Sequence, residues 1–243
     1  MTGQRRAVRR GLARRRVAAI LAAGLVVGAG AAATLASWND SEWVFGGALG
    51  GNGSTTPGIG TSTFEVQQNT GDPTAAGGWV DRETAPGGAL SFSVGALALT
   101  PGDSVYAPVS LRTTAGSLGA EIGLVAAVDG TTAPQATELW SLLDLRVAAV
   151  TGAADSQRPA CDATAFGTAW ADGAIGTASA TTTLRNLAAG AGDTLHVCFE
   201  ISLPDSADLL AELAGETDPA AALDALQGER VTPVWRFAAT SVS

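Results

Sequence analysis

Residues 99 to 111 read Leu99-Thr100-Pro101-Gly102-Asp103-Ser104-Val105-Tyr106-Ala107-Pro108-Val109-Ser110-Leu111, a tight turn followed by an extended run. Proline fixes φ at one corner of the turn and glycine supplies freedom at the next, so the segment from Val105 to Leu111 reads as a strand. Upstream, Thr63-Phe64-Glu65-Val66-Gln67 and Leu90-Ser91-Phe92-Ser93-Val94 alternate apolar and polar residues with the period of two of a half-buried strand. Downstream, Ile122 to Val128 is a more continuous apolar run suited to a central strand. Leu143 to Val150, Thr194 to Ser202 and a closing Val231 to Val242 complete the set. Short runs bracketed by Gly, Pro, Asp and Thr predict an all-β domain over residues 61–243, an antiparallel β-sandwich of jelly-roll type. Ser206 to Gly215 opens on a cap residue and ends on glycine, and Thr217-Asp218-Pro219 sets a cap and a first-turn proline. These predict a short helical crossover near residues 206–227. Pro134 to Leu142 is expected to add a helical turn with Trp140 facing inward.

The chain has 243 residues, 46% hydrophobic and 15% charged, too apolar for disorder and long enough for a substantial core. It contains no lysine, and seven of its 14 basic residues (Arg5, Arg6, Arg9, Arg10, Arg14, Arg15 and Arg16) lie in the first sixteen positions. Beyond them, seven arginines face all 23 carboxylates, a balance that argues against a nucleic-acid partner. After Arg16 comes an uncharged run from Val17 to Ala36, with Thr34 and Ala36 as the small residues of a signal peptidase site. Residues 1–36 are therefore expected to be a signal peptide cut between Ala36 and Ser37, with membrane contact only before cleavage. A retained anchor is the alternative, since about 20 apolar residues can span a bilayer. Residues 37–60 then form an aromatic segment, Trp38 to Phe45, and a linker, GGALGGNGSTTPGIG, with seven glycines, one proline and no charge.

At the junction the chain reads Thr34-Leu35-Ala36-Ser37-Trp38-Asn39-Asp40-Ser41-Glu42. This resembles proteins exported by SipW-type signal peptidases, which include camelysin and TasA-like matrix proteins and the actinobacterial alternate signal-mediated exported proteins. Residues 20 to 45 resemble them closely. Leu99 to Asp103, Pro108 to Thr113, Gln227-Gly228 and Val234-Trp235-Arg236-Phe237 do so more loosely. The resemblance implies a SipW-type peptidase as processing partner, a secreted or cell-surface location, and a matrix or biofilm subunit. It also implies assembly with itself or related exported subunits through a freshly exposed N-terminal strand. Trp38, Trp43, Val44 and Phe45 would form that strand, because large apolar side chains left on a solvated tail forgo burial worth about 2 kcal/mol each. The same linker also lets the segment fold back onto its own domain.

Chemistry-bearing residues are few. Cys161 and Cys198 are the only cysteines, an even pair in an exported chain, and are expected to form a disulfide contributing about 3 to 4 kcal/mol. On the strand Leu195-His196-Val197-Cys198-Phe199-Glu200, period two puts His196, Cys198 and Glu200 on one face. That set reads as metal ligands, as a Cys/His pair, or as a polar face bridged to the segment after Pro159. The bridge would consume the thiolate that either chemistry needs. No G-x-S-x-G elbow serves the single histidine, and there is no H-E-x-x-H or calcium loop. No catalytic residue, cofactor or metal site is assigned. Three classes stay open: a non-enzymatic fibre or matrix subunit, a monomeric module binding wall polysaccharide or protein through an aromatic platform such as Trp79 or Trp170, and a cryptic hydrolase.

Overall fold

The computed structural model describes residues 61–93, 95–130, 137–152 and 154–242, together with Val44 and the backbone of residues 47–49 and 55–57. The chain divides into two compact units, Met1–Gly60 and Thr61–Ser243. In the first, β1 (Gly47–Leu49) pairs antiparallel with β2 (Thr55–Pro57). The expected linker therefore contains a short antiparallel strand pair. The peptidase site at Ala36 and Ser37, and the side chains of Trp38, Trp43 and Phe45, lie outside the described residues.

The second unit is built from antiparallel sheets with few helices. Its strands are β3 (Val66–Asn69), β4 (Ser104–Thr113), β5 (Gly119–Asp129), β6 (Asp144–Thr151), β7 (Ala171–Ala174), β8 (Ala180–Leu187), β9 (Leu195–Ser202) and β10 (Pro233–Val242). One sheet runs β3-β4-β9-β6-β7 and the other β10-β5-β8. The turn ahead of β4 forms as its residues dictate. Gly102 takes a φ of 91°, a left-handed value that a side chain disfavours. Asp103 Oδ2 accepts from the Thr100 backbone N–H at 2.8 Å and from its hydroxyl at 2.7 Å. Gly102 N–H then donates to Leu203 O at 2.9 Å, which ties the turn to the end of β9 and sets the β4–β9 register.

One apolar core joins the two sheets. Val105, Val109 and Leu111 of β4 and Leu195, Val197 and Phe199 of β9 meet Ile122 and Leu124 of β5. From β10, Trp235 and Phe237 lean on the Phe199 ring, with centroids 4.8 and 6.1 Å away. Among the described residues there are three α-helices, α1 (Thr137–Leu142), α2 (Ser206–Glu212) and α3 (Pro219–Ala225). The crossover falls where expected, but Asp205 rather than Ser206 caps α2, accepting from the N–H groups of Ala207 and Asp208. Trp140 does pack against the core, so closely that a Cβ on Gly176 would sit 2.8 Å from its Nε1.

Three expectations are corrected. Leu90 to Ser93 forms no strand: glycines flank the run, and its one backbone bond to β4 is Ser93 N–H to Tyr106 O at 2.9 Å. The first strand of the unit is Val66–Asn69, not Thr63 to Gln67, with Thr63 reduced to a single bridge to Ser117. Strands β7 and β8 were unforeseen, because Ala-Asp-Gly-Ala and Ala-Thr-Thr-Thr-Leu-Arg-Asn-Leu carry no apolar alternation.

Candidate functional site

Strand β9 is central in its sheet, and every residue from Leu195 to Ile201 is buried, so both of its faces are covered. The inner face belongs to the core. The outer face carries His196, Cys198 and Glu200, as the period of two requires, and each has a structural partner. Cys198 is bridged to Cys161, with an S–S distance of 2.05 Å. The bridge pins the 155–166 loop over the sheet, where Phe166 and Ala148 complete a small apolar cluster. Glu200 Oε1 accepts from the Tyr106 hydroxyl at 3.1 Å. Its Oε2 lies 3.2 Å from an Arg146 guanidinium nitrogen, an ion pair whose angles fall short of a hydrogen bond. Burial, followed by the Glu200 hydrogen bond and charge, pushes the Tyr106 phenol above its ordinary range.

His196 stands directly across the β4–β9 ladder from Ser110, with Ser110 Oγ 2.8 Å from His196 Nδ1. Sequence reasoning missed Ser110, and only strand register brings it to the histidine. The pair has the composition of a nucleophile and base, but Ser110 has no exposed surface and His196 only 4%. Beside the disulfide and His196 there is a space of about 40 Å³, room for water and not for a sugar or peptide. Among the described residues no group of three or more His, Cys, Asp or Glu side chains is placed to hold a metal ion. Because the bridge takes the Cys198 thiolate, the metal-ligand reading of His196, Cys198 and Glu200 gives way to the bridged polar face.

The aromatic-platform candidates are also corrected. Trp79 and Trp170 are 8% and 5% exposed. Trp79 donates from Nε1 to Pro73 O and lies under Arg112, whose guanidinium is 4.1 Å from the ring centroid. Trp170 donates to Thr183 O and stacks near Phe237. Val44, the one described residue of the aromatic segment, is 96% exposed.

Sheet edges provide the other candidate surface. In the five-stranded sheet, β3 has only four residues, and Gln68 trades backbone bonds with Val80 across its outer side. At the far edge, β7 is equally short and holds Gly173 at a φ of 130°. In the three-stranded sheet, Trp170 occupies Thr183 O on β8. Strand β10 differs. It is ten residues long and pairs with β5 alone, and among the described residues no other backbone group bonds to it. Its first part is blunted by Pro233 and a register shift between Val234 and Arg236. From Phe237 to Val242 the pairing is regular and the sequence, Phe-Ala-Ala-Thr-Ser-Val, has neither charge nor proline. Such an edge is a template for another strand.

Compared with known proteins, the chain matches no family model and no curated relative. No helix among the described residues is long and apolar enough to cross a membrane.

Proposed function

We propose that this is a non-enzymatic secreted or cell-surface structural protein, a matrix or fibre subunit that assembles through its N-terminal strand. In this reading the second unit is a sandwich of jelly-roll type, and a SipW-type peptidase removes residues 1–36. Trp38, Trp43, Val44 and Phe45 of one copy then add to the sheet of the next. The Phe237–Val242 edge, which among the described residues pairs only with β5, carries the proposal: six uncharged residues with regular geometry are what β-augmentation needs. The disulfide fits an oxidising, extracellular setting. The junction residues Ala36-Ser37-Trp38-Asn39-Asp40 supply the export route by resemblance. Burial of Trp79 and Trp170 counts against an aromatic carbohydrate platform, and the sealed Ser110–His196 pair counts against hydrolysis.

Electron microscopy and light scattering on two proteins, one starting at Ser37 and one at Thr61, provide the test. Filaments are expected from the first alone. Two monomeric proteins at high concentration, or two that polymerise equally, overturn the assignment of the N-terminal segment as donor.

A further inference from the structure

The second unit also holds a cleft whose lining includes none of the residues Phe237–Val242. It has a volume of about 500 Å³ and lies between the segment around Ala96 to Pro101 and the connection from α3 to β10. Its floor includes the core residues Val105, Leu143 and Leu203, and Phe92 and Leu226 stand in its walls. Protein interiors leave few voids larger than a water molecule. A concave apolar space of several hundred Å³ with a few polar groups is the usual form of a small-ligand site.

The polar groups define the ligand. Asp224, Gln227, Glu229 and Arg230 are the polar and charged side chains among the lining residues. Gln227 donates to Asp224 Oδ1 at 3.3 Å. Glu229 is half-buried, and its Oε2, turned into the protein, accepts no hydrogen bond among the described residues. Neither carboxylate has an ion-pair partner among the described residues, so the cleft sets two carboxylates against one exposed guanidinium. Beyond residue 36 the chain repeats that bias, with seven arginines against 23 carboxylates. An anionic head group would meet repulsion here, whereas an ammonium would be attracted by both carboxylates and would pair with the accessible side of Glu229. We infer that the cleft binds an amphiphile with an apolar body and an ammonium head, the body lying between Phe92 and Leu226 and the head pairing with Glu229.

Titration calorimetry of the protein as its host exports it, with decylamine, decanol and decanoate below their micelle concentrations, tests this. Decylamine should saturate one site at least ten-fold more tightly than decanol, with decanoate weakest. Glu229→Gln should erase the preference for the amine and leave decanol unchanged. Ala96→Trp, which fills the cleft, should abolish binding of all three while circular dichroism stays native. If that variant does not fold, Glu229→Gln alone decides. No saturable binding, equal affinity for the three probes, or indifference to Glu229→Gln overturns the inference. Binding that appears only in a Trp38→Ser/Trp43→Ser/Phe45→Ser variant overturns it as well, because the aromatic segment would then own the cleft.

Discussion

Tyr106 is the chain's single tyrosine, so its phenol can be titrated by absorbance without interference from another. Burial raises its pKa first, and the Glu200 hydrogen bond and charge raise it further, against smaller opposing effects from Ser104 and Arg146. The native protein should therefore titrate above free tyrosine. Glu200→Gln should bring the value down part of the way, since burial stays. The sign for stability follows from the unfolded chain, which gives up this proton first. The contribution is whole below the ordinary tyrosine range and is lost as pH rises through that range toward the folded value. An unchanged titration in Glu200→Gln would mean that the 3.1 Å contact does not form in solution. On the same face, the Cys161–Cys198 bridge closes a sequence separation of 37 residues and holds a loop that otherwise rests on a small cluster. Replacing both cysteines by alanine should cost about 3 to 4 kcal/mol in urea unfolding. A loss near zero would mean that the 155–166 loop is held without its staple.

At the scale of elements, one local device recurs. Asp72, Asp103 and Asp162 each accept from the hydroxyl and the N–H of a nearby threonine (Thr74, Thr100 and Thr164), and those bonds hold all three carboxyls below their ordinary range. Their contribution is present above the unfolded carboxylate range and disappears as pH falls through it toward the folded values. A D72N/D103N/D162N variant should therefore lose less stability between neutral and acid pH than the parent, as thermal melts across that interval would register. Equal slopes would place the acid sensitivity elsewhere. Of these turns only the one at Pro101-Gly102-Asp103 was legible beforehand, because Pro, Gly and Asp act locally there, and α2 and α3 were legible for the same reason. Strands β4, β5 and β9 were legible through sustained apolar runs. Strand β8 was not, because most of it is exposed, and pairing with β5 rather than hydrophobic periodicity makes it a strand. Leu90 to Ser93 failed in the opposite sense: it has the alternation, but β4 meets it through one backbone bond only. The Cys161–Cys198 pairing followed from there being two cysteines. The facing of Ser110 and His196, and the pairing of β10 with β5 alone among the described residues, depend on register and on which strands lie beside which, and neither leaves a trace in local sequence.

Across the whole molecule, the donor-strand reading requires that residues 37–45 of one copy lie along Phe237–Val242 of another, and the absence of lysine allows that contact to be mapped cleanly. Thr240 is exposed on the regular part of β10, opposite Glu121 in the β5 register. Thr240→Lys would install the chain's only side-chain ammonium there. One lysine at an exposed position leaves the six-residue run otherwise uncharged, so assembly should persist, although charge on an edge tends to weaken pairing. The aromatic segment carries Asp40 and Glu42, its only carboxylates. Carbodiimide treatment of assembled Thr240→Lys protein should therefore join the introduced amine to Asp40 or Glu42. The product should appear only above the assembly concentration, and only between copies when isotopically light and heavy subunits are mixed. Links to Asp40 or Glu42 confined to one copy would mean that the segment covers its own edge. An amide to Glu121 of the same copy, the residue directly across the ladder, reports only the β5 pairing, whereas an amide to another copy's carboxylate outside residues 37–45 would mean that β10 recruits something other than the N-terminal strand.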